Sequence, residues 1–237
     1  MSTVCANCGW HSWAEGAQLT NSESARLNDV LTHHRLVRKG AHLYHAGSEF
    51  EAIHAVHSGF LKNTVSSEDG KEQIVHFALP GDPVGLDGIA TGNHQSTTVA
   101  LEDSSVCGAS YGPLMELCNQ IPRLQRHFSR LLAAEVRSGA RLMLLLGNMS
   151  AEARVATFLL RLSSRLAARG YSSTQLRLPM TRQELASYLG LRLETVSRIF
   201  SAMHNEELIA IDGRQIVFKR PEGLQQKIEQ SAALNCA

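Results

Sequence analysis

The sequence has few aromatic residues, no long apolar run and no N-terminal stretch in which basic residues precede an apolar segment. Phe, Trp and Tyr make up 5% of the 237 residues, although apolar residues in total make up 43%. A membrane-spanning helix needs about 20 consecutive apolar residues, and a secretory signal needs a basic and then an apolar region. The sequence therefore predicts a globular protein of the cytoplasm, away from membranes.

Cysteines are few and odd in number, and the charge is almost balanced over the whole chain. Five cysteines argue against a disulfide framework and favour free thiols or metal ligation. The formal net charge is +1, but the segment from residue 151 onward contains twelve Lys and Arg and only eight Asp and Glu. A basic C-terminal third suits contact with nucleic-acid phosphates.

Two common enzyme signatures are also missing. The sequence has no GxxxxGK[ST] phosphate-binding loop and no HExxH zinc motif. An enzyme with an appended DNA-binding domain is therefore poorly supported, and we predict a protein that is not an enzyme.

The most informative stretch, residues 190–200, has the pattern of a turn followed by the second helix of a helix-turn-helix. Glu194, Ser197 and Arg198 lie at i, i+3 and i+4 and therefore share one helix face. Their side chains match the donors and acceptors of base edges in the DNA major groove. Upstream, Thr181 opens a capping box for the first helix. The candidate DNA-binding residues are Thr181, Arg192, Glu194, Thr195, Ser197 and Arg198.

A hairpin signal follows the second helix. The short apolar segments Leu208–Ile211 and Gln215–Phe218 are joined through Asp212–Gly213, and Ser173–Leu178 is a further extended segment. A helix-turn-helix beside a small hairpin predicts a winged helix, which we assign to residues 150–237 and expect to bind double-stranded DNA.

The N-terminal half has a different pattern of apolar residues and glycines. A helix is predicted over Thr20–His34, and after it short apolar runs alternate with glycine turns, which is typical of a β-barrel or β-roll. We assign this sensor domain to residues 20–120. The predicted strands are Ala41–Tyr44, Ala52–His57, Phe60–Val65, Gln73–Leu79, Thr97–Glu102 and Ser105–Ser110.

A long helix is predicted over residues 121–147, and its apolar residues form two stripes. One stripe suits packing on the roll and the other suits an identical helix in a homodimer. We assign the partner-facing role to the first stripe, which comprises Leu124, Phe128, Leu131, Leu142 and Leu145. The second stripe comprises Leu132, Val136, Gly139, Met143 and Leu146.

The order of β-roll, long helix and winged helix, an α+β architecture, resembles the catabolite-activator/FNR superfamily of bacterial transcription regulators. The resemblance covers nearly the whole chain and is strongest in residues 39–62, 81–85 and 180–200. The triad on the second helix is similar to that of the FNR-like branch. This resemblance implies an oxygen-responsive or redox-responsive homodimer that binds TTGAT-type inverted repeats and contacts RNA polymerase.

The resemblance does not extend to the phosphate cassette of the cyclic-nucleotide branch. That cassette has a Gly-Glu pair followed by Arg-Ser or Arg-Thr, whose guanidinium binds the cyclic phosphate. This sequence has Gly85–Leu86–Asp87–Gly88 followed by Gln95–Ser96. Without the arginine an anionic ligand lacks its main charge partner, so we expect no cyclic nucleotide.

The N-terminal segment, residues 1–19, resembles the cluster-binding segment of FNR-type sensors. Those proteins hold a [4Fe–4S] cluster with three cysteines spaced C-x2-C-x5-C and a fourth in the β-roll, because thiolates are suitable ligands for such a cluster. Cys5 and Cys8 match the first spacing and Cys107 resembles the fourth ligand. Ala14, which cannot bind iron, occupies the third position.

Three interpretations of these cysteines remain open. A cluster is retained with a substitute ligand, for which His11, Cys118 and Cys236 are the candidates. Alternatively, the three matching cysteines form a thiol switch or, with His11, a zinc site. In the third interpretation the cysteines are residual and the protein binds DNA constitutively.

The eleven histidines show no recognised zinc spacing. His33 and His34 fall at the end of the predicted N-terminal helix, and His54 and His57 fall in a predicted strand. The sequence therefore predicts ordinary surface or hydrogen-bonded histidines.

Overall fold

The computed structural model describes residues 9–234, and the chain divides into two compact units, Met1–Ser138 and Gly139–Ala237. The division falls within one long helix. Within residues 9–234, no helix combines the length and the apolar character that a membrane span requires. Both units contain helices and strands, which confirms the predicted α+β class.

The first unit contains a β-roll of two four-stranded antiparallel sheets. In spatial order, the first sheet is β1 (Leu31–Val37), β8 (Ser104–Ser110), β3 (Ala52–Ser58) and β6 (Pro83–Val84). The second sheet is β2 (His42–Tyr44), β7 (Thr97–Ala100), β4 (Leu61–Ser66) and β5 (Glu72–Ala78). All six predicted strands are present, and their ends lie within two residues of the predicted ones. Strands β1 and β6 were not predicted from the sequence.

Four helices accompany the roll. They are α1 (Gly9–Gly16), α2 (Asn21–Asp29), α3 (Tyr111–Gln120) and the first part of α4 (Pro122–Asn148). Side chains along β3 point alternately to its two faces, so this strand contributes residues to two apolar cores. Val56 packs in the core shared by the two sheets, whereas Ile53 and Ala55 pack with helix residues such as Trp10 and Leu124.

The predicted helix over Thr20–His34 is too long. Thr20 caps α2 through a capping box, but the helix ends at Asp29, and Leu31 begins β1. In β1, His34 lies opposite Cys107 of β8. The apolar residues around Leu31 fit a helical period, but pairing with a core strand overrides local propensity.

The second unit is a winged helix, which confirms the prediction for the C-terminal third. Its elements after α4 are α5 (Ala151–Ala167), β9 (Gln175–Arg177), α6 (Arg182–Leu189), α7 (Leu193–Asn205), β10 (Ile209–Asp212), β11 (Gln215–Phe218) and α8 (Pro221–Leu234). The strands form one sheet in the order β10, β11, β9.

The structure buries three residues of the first stripe on α4. Leu124 and Phe128 are buried in the core of the first unit, and Leu145 is buried in the second. Leu131 and Leu142 are half-buried. Buried side chains cannot also face a partner, so the predicted interface role is wrong for Leu124, Phe128 and Leu145 and stays a prediction for Leu131 and Leu142. In the second stripe, by contrast, Val136 is 76% exposed and Met143 is 69% exposed.

Candidate nucleic-acid interface and sensor site

The first helix of the helix-turn-helix, α6, has caps at both ends. The Thr181 hydroxyl accepts a hydrogen bond from the Glu184 amide at 3.1 Å, and the Glu184 carboxylate accepts one from the Thr181 amide at 2.8 Å. Gly190 ends the helix with φ +61°. A Cβ there would lie 3.2 Å from Leu146 Cδ2, so both the backbone conformation and the available space favour glycine.

The second helix, α7, has one buried and one exposed face. Val196, Ile199 and Phe200 are buried, as their spacing predicts. Glu194, Ser197 and Arg198 are all exposed on the opposite side. The structure therefore presents the three predicted base-reading side chains together, which is the arrangement that major-groove reading requires.

The remaining predicted DNA-binding residues lie around the start of the two helices. Arg192 is the exposed N-cap residue of α7, and Thr195 is half-buried in its first turn. Thr181 is exposed at the N-terminus of α6. These residues flank the exposed face of α7 in sequence, which suits contacts with the DNA backbone.

One residue that supports the recognition helix was not predicted from sequence. The Arg182 guanidinium lies 3.3 Å from the ring centroid of Phe200, a cation–π contact between α6 and α7. Burial lowers the pKa of Arg182 from its usual value. No motif marks this pair, because the contact depends on how the two helices pack.

One basic residue of the wing hairpin, Arg214, makes a structural contact. Asp212 pairs with Gln215, and Gly213 adopts φ +55° in the turn. Arg214 Nη1 donates to the Pro179 carbonyl oxygen at 2.9 Å, which ties the hairpin to the segment before α6. Arg214 therefore has a structural contact in addition to any contact with phosphate.

A second arginine connects three segments around the end of α4. Arg154 of α5 donates from Nη2 to the Leu146 carbonyl at 2.6 Å, from Nη1 to the Leu189 carbonyl at 3.0 Å and from Nε to the Met149 carbonyl at 3.0 Å. Leu146 and Leu189 lie in the last turns of α4 and α6, where carbonyls lack intrahelical partners. One guanidinium thus joins the end of α4 to the turn of the helix-turn-helix.

Helix α1 anchors the N-terminal segment to the strands that carry Cys107. The Trp10 indole N–H donates to the Cys107 carbonyl oxygen at 2.8 Å. Gly9 packs on β3 so closely that a Cβ there would lie 2.9 Å from Ala55 Cβ, and Ala55 is the cross-strand partner of Cys107. Cys8 immediately precedes Gly9 in the sequence.

Cys107 is almost fully buried beside a histidine that the sequence did not single out. His34 Nδ1 lies 3.4 Å and Nε2 lies 3.7 Å from Cys107 Sγ. The His57 ring packs edge-on against His34 with centroids 4.7 Å apart. Burial lowers the pKa of His34, and the nearby His57 lowers it further, which favours the neutral imidazole near pH 7.

Among the other predicted sulfur and nitrogen ligands, Cys118 is the one whose side chain the structure describes. Cys5, Cys8, Cys236 and the side chain of His11 lie outside the described part of the structure. Ala14 is buried in the helix-facing core. Cys118 is also buried there, and burial raises the pKa of its thiol to about 11, so it is a poor source of thiolate.

These positions test whether a metal cofactor fits. Within residues 9–234, no three His, Cys, Asp or Glu side chains converge on a metal-sized site. The described residues supply one soft pair, Cys107 and His34, but not a complete ligand set for a [4Fe–4S] cluster. A complete set requires donors from the N-terminal cysteines.

In the segment that corresponds to a cyclic-phosphate cassette, the carboxylate of Asp87 accepts the available hydrogen bonds. Asp87 Oδ2 accepts hydrogen bonds from the Gln95 amide at 2.9 Å and from the Ser96 amide and hydroxyl, both at 2.8 Å. His94 Nδ1 lies 3.3 Å from Asp87 Oδ1, and its ring stacks on Tyr44. The amide and hydroxyl groups that would donate to an anionic ligand already donate to the Asp87 carboxylate. This is a physical reason to expect no cyclic nucleotide.

Comparison with known proteins agrees with both units. A cyclic nucleotide-binding domain model matches residues 34–121, and a Crp-like helix-turn-helix domain model matches residues 153–227. The solved structure of FixK2 from Bradyrhizobium japonicum has a TM-score of 0.76 and 33% sequence identity, covering 82% of this chain and 96% of that one.

Two curated relatives are similar over almost their whole lengths. The transcriptional activator protein Anr of Pseudomonas protegens is 40% identical over 212 residues, covering 90% of this chain and 87% of Anr. The fumarate and nitrate reduction regulatory protein of Escherichia coli K12 is 35% identical over 222 residues, covering 94% of this chain and 89% of that protein. Together with the helix-turn-helix geometry, these similarities show that the chain is a DNA-binding transcription regulator, not an enzyme, and that it belongs to the FNR-like branch of the Crp/FNR family.

Proposed function

We propose that this protein acts in the cytoplasm as a homodimer that binds TTGAT-type inverted repeats and controls genes in response to oxygen or redox state. The observation that carries the DNA-reading part is the shared exposed face of Glu194, Ser197 and Arg198 on α7. In this proposal Arg198 contacts guanine, Glu194 contacts cytosine and Ser197 contacts a thymine, as donor and acceptor chemistry allows.

Two exposed apolar residues of the second stripe of α4 support the homodimer. Val136 and Met143 are seven residues apart on α4, and both are highly exposed. Large apolar side chains at this spacing suit a helix-to-helix contact with a second copy. A dimer presents two recognition helices, which matches an inverted repeat.

The signal enters, in this proposal, through Cys5, Cys8 and Cys107. One candidate chemistry is a [4Fe–4S] cluster, which needs a ligand in place of Ala14. The other is thiol or zinc chemistry at the same cysteines. His34 Nδ1 lies 3.4 Å from Cys107 Sγ, and a nitrogen donor this close to the thiol supports metal or thiol chemistry at the site.

The packing of α1 supports a route from these cysteines to α4. Trp13 packs against both His127 and Phe128 of α4, with ring centroids 6.1 Å and 6.4 Å apart. A chemical change next to α1 therefore acts on side chains at the start of α4. A signal needs to favour one dimer arrangement by only a few kcal/mol to shift the populations. We assign the contact with RNA polymerase to roll loops that include residues 66–71.

The test compares DNA affinity in the presence and absence of oxygen. Protein purified anaerobically is titrated with a duplex carrying a TTGAT inverted repeat and with a scrambled duplex of the same length, before and after exposure to air. We expect selective binding of the repeat and a loss of affinity in air of about tenfold or more, which corresponds to about 1.4 kcal/mol. Unchanged affinity in air would contradict the oxygen-responsive part.

Iron, acid-labile sulfide and free thiols are measured on the same samples. Stoichiometric iron and sulfide that disappear in air identify the cluster as the responding group. Loss of titratable thiols without iron identifies the thiol or zinc chemistry. The two readouts separate the candidate chemistries independently of DNA binding.

A further inference from the structure

A cavity of about 330 Å³ lies in the second unit, where α4, α5 and α8 meet. Helix α4 lines it with residues 141, 144 and 145, and α5 lines it with residues 157, 160, 161 and 164. These three-residue and four-residue steps place the contributing side chains of each helix on one face. Small-molecule sites in proteins have volumes of about 300–1,000 Å³, so this cavity has the size of such a site.

The walls of this cavity are mainly apolar. Leu144 is 55% exposed, and Leu160 and Ile228 are only half-buried. Apolar surface in contact with water is unfavourable, so a ligand with an apolar chain would gain free energy by covering it. The apolar lining residues are Leu144, Leu145, Met149, Leu160 and Ile228.

Two arginines, Arg141 of α4 and Arg161 of α5, also line the cavity. Both are exposed, and within residues 9–234 neither guanidinium forms a hydrogen bond or an ion pair. Arg154 on the same face of the domain, by contrast, donates to three carbonyls. None of the described residues that line the cavity is acidic. Since a guanidinium fork pairs well with a carboxylate, the two free cations favour a ligand with a carboxylate group.

Size and position favour a small amphiphile over a segment of a second chain. A stable protein–protein contact buries about 800 Å² on each partner. The exposed apolar residues that suit contact with a second copy, Val136 and Met143, do not line the cavity. The cavity is therefore a feature separate from the proposed dimer surface of α4.

We propose that this cavity binds a carboxylate with an acyl chain of medium length. The chain lies against the leucines of α4 and α5, and the carboxylate pairs with Arg141 and Arg161. The bound ligand connects α4 to α5 close to the point where Arg154 of α5 donates to the Leu146 carbonyl of α4. The site lies apart from the cysteines and requires neither a metal nor a response to oxygen.

Sodium decanoate is the probe for this site, because it combines an apolar chain with one carboxylate. The full-length protein is titrated by isothermal calorimetry with decanoate below its micellar concentration, with decan-1-ol and with sodium butyrate. We expect one decanoate per chain, and binding at least about tenfold weaker for the alcohol, which lacks the charge, and for butyrate, which lacks most of the chain. Decanoate is also expected to raise the unfolding temperature, since it binds the folded state.

Three variants make the assignment specific. Arg141→Met and Arg161→Met each remove one cation and are each expected to weaken decanoate binding by about tenfold. Leu160→Trp fills the cavity and is expected to abolish binding. Arg137→Met removes an exposed arginine of α4 that does not line the cavity, and it is expected to bind decanoate as the unaltered protein does. Far-UV circular dichroism verifies that each variant is folded.

Several outcomes would overturn the proposal. Absence of saturable decanoate binding would remove the site, and equal affinity for decan-1-ol would remove the role of the two arginines. Equal weakening by Arg137→Met and Arg161→Met would mean a general effect of surface charge. If the unaltered protein binds no decanoate and Leu144→Glu weakens self-association in sedimentation velocity, a second copy of the chain covers the cavity instead.

Discussion

Arg198 illustrates what a single side chain decides in this protein. Its guanidinium has a fork of donors that fits the two acceptors of guanine in the major groove. The side chain is exposed on α7, while its neighbour Ile199 is buried against the rest of the domain. Removing the side chain should therefore change recognition with little effect on folding.

Arg198→Ala is expected to lose about 1–3 kcal/mol of binding at the guanine position and to relax specificity there. Affinities are measured for the TTGAT repeat and for repeats with the guanine replaced. Lys219→Ala, an exposed cation beside the wing, is the comparison and is expected to weaken all duplexes alike. Equal weakening of Arg198→Ala on specific and random DNA would rule out the assignment.

Glu194→Ala tests the second member of the same face. Its carboxylate accepts from the cytosine amino group in the proposed complex, so its loss is expected to change which base is preferred at that position. Binding selection from a randomised half-site measures the preference. An unchanged preference would exclude Glu194 from base reading.

At the scale of elements, Arg154 shows how one side chain can join the ends of two helices. It donates to carbonyls at the C-termini of α4 and α6, where a positive charge also interacts favourably with the helix dipoles. The contacts involve residues 8 and 35 positions away, respectively.

Arg154→Met is expected to destabilise the second unit by about 2–4 kcal/mol, because it leaves three carbonyls without their charged donor. Urea unfolding followed by far-UV circular dichroism measures the change. Arg161→Met alters an exposed arginine on the same helix and is expected to change the free energy of unfolding by less than about 0.5 kcal/mol. Similar effects of the two substitutions would contradict the capping role of Arg154.

A second link between elements joins β5 to α4 through His76. Its Nδ1 lies 3.5 Å from a Glu135 carboxylate oxygen on α4, and its Nε2 lies 3.8 Å from an Asp82 carboxylate oxygen in the loop after β5. Burial alone would lower the pKa of His76, but the nearby carboxylates of Asp82 and Glu135 outweigh burial and raise the pKa to about 9. The imidazolium therefore bridges two carboxylates at neutral pH.

This raised pKa predicts the direction of the pH dependence. The ordinary pKa of the unfolded histidine is 6.5, so the stabilisation is fully present below about pH 6.5 and is lost as pH rises through about 9. The loss is expected to be on the order of 3 kcal/mol. Unfolding followed by fluorescence of Trp10 and Trp13, both in the first unit, measures it.

His76→Gln is the matched variant for this measurement. It retains hydrogen-bonding capacity but cannot carry the charge, so the decline of stability between pH 6.5 and 9 should become shallower than in the unaltered protein. Parallel pH profiles of the two proteins would show that another group causes the dependence.

At the scale of the whole molecule, assembly depends on the apolar residues that the chain leaves exposed. Val136 and Met143 belong to the second stripe of α4, and their exposure is unusual for large apolar side chains. Dimerisation would bury them, and the same association would bring two α7 helices to one DNA site.

Val136→Glu is expected to weaken dimerisation by at least about tenfold, because a partner would have to bury the introduced charge. Sedimentation velocity over a range of concentrations measures the association. Ser138→Glu, which adds the same charge at an exposed position outside the second stripe, is expected to leave association unchanged. A Val136→Glu protein that remains dimeric would place the interface elsewhere.

The helix-turn-helix could be predicted from the sequence because its signals are local. The Thr181 capping box, the left-handed Gly190 and the apolar spacing of Val196, Ile199 and Phe200 each act within a few residues. The same locality made the six strands of the roll and the Asp212–Gly213 hairpin predictable. These patterns determined the fold class and the face of α7 that carries the candidate base contacts.

Only the tertiary structure decided which non-local neighbours these elements acquire. Local periodicity assigned His34 to a helix, but pairing with β8 placed it 3.4 Å from Cys107, which is 73 residues away. Periodicity also identified two stripes on α4 without showing that Leu124 and Phe128 face the core. Such contacts depend on packing between distant segments, and this is why the sequence determined the DNA-reading face while the structure revealed the thiol–imidazole pair.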